Sequence, residues 1–141
     1  MTHWLITYAA VLVTFLVIDA LWITFVARKL YDLEAGDVLR EKPKFSAGIL
    51  FYLLYAAGIT AFAVLPLTMH FDGIHATVRI YSEVAAWGAA LGVFAYSTFA
   101  LTNQAIIRDW KYKLVFIDLL WGALITAGAA LVGFAVFRAL A

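Results

Sequence analysis

Four long apolar runs separated by short polar stretches organise this chain: about Trp4–Ala27, Ser46–Met69, Ile80–Ile107 and Lys113–Phe137. At 1.5 Å per residue each is long enough, as a helix, to cross a hydrocarbon core of about 30 Å. Within the runs the apolar positions are continuous rather than alternating, so the period-2 pattern of a transmembrane β-barrel is absent. The expectation is an all-α integral membrane protein, a four-transmembrane-helix bundle forming one domain over residues 1–141. The first run is followed by Arg28 and Lys29 instead of a small-residue cleavage site, and no basic segment precedes it, so it is expected to stay as an anchor.

Between the first two runs lies a sizeable polar segment, a loop over residues 28–45. Its Asp32, Glu34, Asp37 and Glu41 nearly balance its basic residues, and Leu30, Leu33, Val38 and Leu39 allow either a weakly amphipathic interfacial helix or a plain connector. Pro43 marks its end, and Pro66 is placed to kink or terminate the second helix. Small residues recur at helix-contact spacing, as Ala57 and Ala61, Gly88 and Gly92, and Ala129 and Gly133, which predicts close packing between helices.

Composition strengthens the membrane reading. The 141 residues are 66% hydrophobic and 13% charged, where a soluble domain is about one quarter charged; the mean hydropathy is +0.96. With four spans accommodated, no length is left for a soluble enzyme domain. There is no cysteine, which removes disulfides and thiolate-bound metals, and His3, His70 and His75 lie near a terminus or in a short loop, which removes paired intramembrane imidazoles for haem or a di-iron centre. No cofactor and no metal site are expected. The net charge of +1 includes no basic stripe, so no nucleic-acid partner is expected.

Charge placement predicts orientation. Arg28, Lys29, Arg40, Lys42 and Lys44 flank the first connection and Arg108, Lys111 and Lys113 the third, against Arg79 and Arg138 on the other side. The first and third connections are therefore expected in the cytoplasm and both termini outside, in a multi-pass protein of the bacterial inner membrane. Trp4, Tyr8, Trp87 and Trp110 read as interface-belt aromatics, and Glu83 as an interfacial residue near the start of the third span.

Against this apolar background, two carboxylates stand out, because an acid within a span costs several kcal/mol unless it is paired, protonated or hydrated. Asp19 and Asp118 occur in the similar strings Ile18-Asp19-Ala20-Leu21-Trp22 and Ile117-Asp118-Leu119-Leu120-Trp121. Counted from the nearest basic residue, Asp19 lies about 13 Å in, Asp118 and Asn103 about 8 Å, and Tyr52 and Tyr55 about 12 and 16 Å. Spacings of three, four or seven residues put Trp22 with Asp19, Tyr55 with Tyr52, Asn103 with Tyr96, and Trp121 and Gly122 with Asp118. Such groups find no partner among lipid tails, so the four faces are expected to converge on one pocket under the cytoplasmic surface. Asp19 and Asp118 are the candidate acid and base. Trp22, Tyr52, Tyr55, Tyr96, Thr102, Asn103, Trp121 and Gly122 are the candidate ligand-binding residues. An internal hydrogen-bonded network that only fixes helix register accounts for the same residues.

The strings Ile49-Leu50-Phe51-Tyr52-Leu53-Leu54-Tyr55, Gly58-Ile59, Phe62-Ala63-Val64-Leu65-Pro66, Ala95-Tyr96, Leu101-Thr102-Asn103, Trp110 and Asp118-Leu119-Leu120-Trp121-Gly122 together resemble the bacterial membrane family named domain of unknown function 2177. The resemblance covers nearly the whole chain, implies four helices and carries no activity. Asp19, Trp22, Asn103, Asp118, Trp121 and Gly122 fit its pattern. Where that pattern reads Tyr-Asp-Leu-Thr-Asn, this chain has Phe99-Ala100-Leu101-Thr102-Asn103, which removes a third intramembrane aspartate.

The function expected from the pocket is binding of a membrane lipid or lipophilic small molecule, with acid/base modification of it left open. One alternative is an accessory subunit of a larger membrane complex; a homo-oligomer or such a complex is the protein partner left open. The other is a proton-coupled exporter of small lipophilic cations, since a short four-helix chain with an acid in its first span is similar to the small multidrug resistance family. The second acid and the eight-to-two charge bias argue against it.

Overall fold

The computed structural model describes residues 2–36, 42 and 44–141. The expectations placed on Asp37, Val38, Leu39, Arg40, Glu41 and Pro43 lie outside them. Four helices are long and apolar enough to cross a membrane: α1 (Thr2–Ala35), α2 (Phe45–His70), α3 (Val78–Ile106) and α4 (Tyr112–Leu140). They form a four-helix membrane bundle, with no strand among the described residues. Both termini and the α2–α3 turn lie at one end, the terminus end. Ala35, the start of α2 and the α3–α4 turn lie at the other, the charged end.

Helix α4 is the centre of the bundle. Its buried residues, among them Val115, Asp118, Gly122, Ile125, Ala129, Gly133 and Phe134, recur every three or four positions along its whole length. Up to Trp22, helix α1 instead fully buries only a narrow stripe, Thr7, Val11, Phe15 and Asp19, at intervals of four residues. Against α4, α3 brings the buried Gly88 and Gly92. A Cβ on Gly88 would lie 2.9 Å from the Ala127 Cα, and one on Gly92 would overlap the Gly122 carbonyl, so the two backbones touch. Gly133 receives the Val11 side chain in the same way. The Ala57 and Ala61 pair behaves otherwise than its spacing predicts: both residues are exposed, because α2 turns Ala56, Ile59 and Ala63 inward instead.

Two helices contain a π turn, at Ile23–Ala27 and Thr60–Val64. The second directly precedes Pro66, which lacks an N–H and disturbs the ladder behind it, so the expected break is absorbed as one wide turn. In both turns a threonine hydroxyl donates to the carbonyl four residues back, Thr24 to Ala20 at 2.7 Å and Thr60 to Ala56 at 2.8 Å. At the terminus end Arg138 donates to the carbonyls of Phe71, at 2.8 Å, and Ile74, tying the α2–α3 turn to α4. Glu83 pairs with Arg79 at 3.2 Å. Trp110 is not a belt residue. It is 5% exposed and packs with Ala100, Leu114 and Val115 in a small core at the charged end, covered by Leu30, Tyr31 and Ala35.

Candidate functional site

The buried stripe of α1 ends in a carboxylate. Asp19 continues the line of Val11 and Phe15, so the packing that buries those side chains buries the acid as well, to 7% exposure. It has two donors from two other helices. The Tyr52 hydroxyl of α2 donates to Oδ2 at 2.7 Å and the Trp121 indole of α4 to Oδ1 at 3.0 Å. Trp22, one turn on from Asp19, stacks on Trp121 with centroids 4.2 Å apart and planes 9° from parallel. Three helices therefore meet on one carboxyl, and an indole pair forms one of its walls.

Aromatic rings continue from there toward the middle of the bundle. Phe15 meets Tyr52 and Tyr55 edge-on at 6.0 and 5.1 Å, and Tyr55 meets Tyr96 at 6.1 Å. The Tyr55 hydroxyl shares a 2.8 Å hydrogen bond with the fully buried Thr126. The Tyr96 ring lies flat against the α4 backbone at Gly122, where a Cβ would overlap the ring. Gly122 thus makes room for an aromatic wall.

Asp118 forms a second group. The Tyr31 hydroxyl donates between its two oxygens, 2.6 Å from each, and Tyr31 packs edge-on against Trp110 at 5.8 Å. Asp118 lies one turn before Trp121 on α4, so the two acids belong to adjoining groups joined through that helix. Thr102 and Asn103 join neither. Thr102 is exposed and turns its hydroxyl onto its own helix, toward the carbonyls of Thr98 and Phe99. The Asn103 carbonyl accepts the Ile107 N–H at 2.8 Å, a bond that closes the end of its own helix.

Tyr31 is the residue that sequence reasoning missed. Ending the first span at Ala27 left it in a loop, whereas the helix runs on to Ala35. The π turn also changes its direction. In an unbroken α-helix the twelve residues from Asp19 to Tyr31 would leave the two about a third of a turn apart; the extra residue taken up by the wide turn removes about 100° of advance and brings Tyr31 to the Asp19 face. Thr126 was also missed, although it stands two turns from Asp118 on a helix whose inner face the acid already marks.

Two cavities open away from the acids. One, of about 370 Å³ at the charged end, lies between the end of α1 and the α3–α4 turn and is lined by Asp32, Glu34, Arg108, Asp109, Trp110 and Lys111 among others. The other, of about 300 Å³ at the terminus end, is lined by His70, Ile74, Arg79 and Glu83 among others. No cluster of three or more metal-ligating side chains occurs among the described residues. Ala100, where the resemblance places an aspartate, is fully buried beside Trp110, and the buried Trp110 indole N–H has no hydrogen-bond partner among the described residues.

The profile of a family described as "Predicted membrane protein (DUF2177)" matches residues 4–135. No curated protein and no solved structure matches the chain.

Proposed function

The chain belongs to this family of membrane proteins, and from that premise we propose that it binds a lipid-like or lipophilic molecule at the Asp19–Tyr52–Trp121 group, in the cytoplasmic half of a bacterial inner membrane. The observation that carries the reading is the convergence of three helices on the buried Asp19, beside the stacked Trp22 and Trp121. A carboxylate offers about four lone-pair sites and here two are taken, so it retains acceptors for an O–H or N–H on a ligand. No Lys or Arg of the described residues pairs with either acid, so nothing cationic competes for those acceptors. The rings of Trp22, Trp121, Tyr55 and Tyr96 supply apolar contact for the rest of such a molecule. Asp19 and Asp118 are the groups able to carry a proton should the bound molecule be modified.

In this reading the charged end faces the cytoplasm and both termini face outward. Cysteine replacements at the exposed Asp72 and Arg108 test this, with an impermeant reagent on intact cells expected to label Asp72→Cys and spare Arg108→Cys. The reverse pattern inverts the topology.

A second reading has support in the same geometry: each acid already has donors within the chain, as a network that only fixes helix register would require. Lipidomic mass spectrometry on the purified protein separates the two. Wild type is expected to carry an enriched lipophilic molecule, and Asp19→Asn and Asp118→Asn to lose it while melting normally, since the amide keeps the size but neither the charge nor the proton. The double variant should add little, as residues acting as a unit are non-additive. Normal retention in both single variants would transfer the acids to the register network and favour an accessory subunit of a larger complex.

A further inference from the structure

Asp118 is shallow and yet buried. It lies in the second turn of α4, about 9 Å along the axis from the start of that helix at the charged end, but is 6% exposed. Its cover comes from the end of α1. Residues Arg28–Ala35 form two helical turns beyond the π turn, where Leu30, Tyr31 and Ala35 lie on the small core of Ala100, Trp110, Leu114 and Val115 while Arg28, Lys29, Asp32 and Leu33 remain exposed. Outside that apolar contact, the segment is fastened by Glu34. Lys111 reaches Oε2 at 2.8 Å and Lys113 reaches Oε1 at 2.7 Å. Glu34 lines one wall of the 370 Å³ cleft and Lys111 the other, so this ion pair bridges the cleft.

We infer that Arg28–Ala35 is a latch over the second acid: Tyr31 is its positioning residue, seated on Asp118 by the Glu34–Lys111–Lys113 fastening, and release of the segment about the π turn at Ile23–Ala27 opens Asp118 to water through the cleft. Three features combine to make a movable element. The fastening joins a glutamate to two half-exposed lysines, an exposed ionic contact of modest strength. The segment adds little apolar burial of its own. A wide turn, a frequent accompaniment of functional sites, separates it from the rigid stripe of α1. The inference deepens the site reading by naming how Asp118 would be reached, but its test needs no ligand, so the two can fail separately.

The test is the rate at which a water-soluble carbodiimide with an added amine modifies Asp118 in the full-length protein in detergent, read by peptide mass spectrometry with Asp19 as internal standard. Glu34→Gln and the pair Lys111→Gln with Lys113→Gln are each expected to raise the rate at Asp118 about fivefold, the scale of losing a modest surface ionic network, and to leave Asp19 unchanged. Tyr31→Phe should raise it too, with the ion pairs intact. Exchanging the charges, Glu34→Lys with Lys111→Glu and Lys113→Glu, should return the rate to the wild-type value. An unchanged rate in Glu34→Gln overturns the latch, as does a rise at Asp19 equal to that at Asp118, which marks general loosening. Failure of the charge exchange to restore protection overturns it as well. Absence of a co-purifying lipophilic molecule from the wild type, with this labelling pattern intact, would count against the binding reading alone.

Discussion

Helix α4 has two unlike faces. Toward α3 it presents Gly122, Thr126, Ala127 and Ala130, and the glycines opposite bring the two backbones into contact. Toward α1 and α2, in the charged half, it presents Asp118 and Trp121, whose side chains meet a tyrosine and an aspartate through hydrogen bonds. Lipid tails are as apolar as leucine, so neither face is held by hydrophobic transfer; the first relies on dispersion at close range and the second on interhelical hydrogen bonds. Their tolerances differ accordingly. A backbone seam cannot admit a carbon atom, whereas a side-chain bridge can lose one bond and keep its others. The seam fixes the bundle, and the bridged side is where polar side chains collect.

Substitutions break that contrast in order of size. The largest effect is expected at Gly92, where even an alanine Cβ overlaps the Gly122 carbonyl. Gly92→Leu should cost more than about 3 kcal/mol and prevent folding, seen as lost monodisperse protein in detergent. Gly133→Ala is the comparison on the opposite face, toward α1 and α2: its Cβ meets the Val11 and Val64 side chains, which can move, and about 1–2 kcal/mol is expected.

Next comes Asp19→Ala, which removes two interhelical hydrogen bonds and strands the Tyr52 hydroxyl and the Trp121 N–H. At about 1 kcal/mol per bond within a membrane, a loss near 2 kcal/mol is expected in detergent unfolding, with the helix content kept. A cost as large as that of Gly92→Leu would erase the distinction between the two faces.

The smallest effect sharpens the contrast. Tyr55→Phe removes one hydroxyl and leaves Thr126 with a single bond unmade, for about 1 kcal/mol or less. A stability change within error, accompanied by altered ligand retention, would place the Tyr55 hydroxyl in the site rather than in the scaffold.

The sequence displays one side of this arrangement better than the other. Continuous apolar runs make the four spans visible, and the cost of an intramembrane acid makes Asp19 and Asp118 visible. Helical spacing then adds Trp22 and Trp121, because within one unbroken helix sequence distance is angle. Depth can be counted from the basic residues, and it places Tyr52 at the level of Asp19. Direction is harder. Asn103 and Asp118 have the same depth, yet Asn103 joins neither acid's group: it stands about 20° in azimuth from Gly92, on the side of α3 that faces α4, whereas Asp118 turns toward Tyr31 of α1. Tyr31 was hidden twice, by a helix that runs past its apolar stretch and by a π turn that resets its phase. No local preference in Ile23–Ala27 announces a turn of that kind. Ala57 and Ala61 show the converse, a contact motif by spacing that points outward.

The central position of α4 also sets a schedule. Asp19 and Trp121 are 102 residues apart in the chain, and ribosomes add about 5–20 residues per second, so about 5–20 s separate the synthesis of the first acid from that of its indole partner. Within that interval Tyr52 is the partner made early, whereas Lys111, Lys113 and Asp118 are added only in its last ten or so residues. The stripe of α1 likewise waits for Gly133. The element made last is thus the one on which the others assemble, and a chain arrested before residue 121 keeps three spans but carries in its first helix an acid without its indole donor. Such a half-paired carboxyl distinguishes an unfinished copy from a finished one.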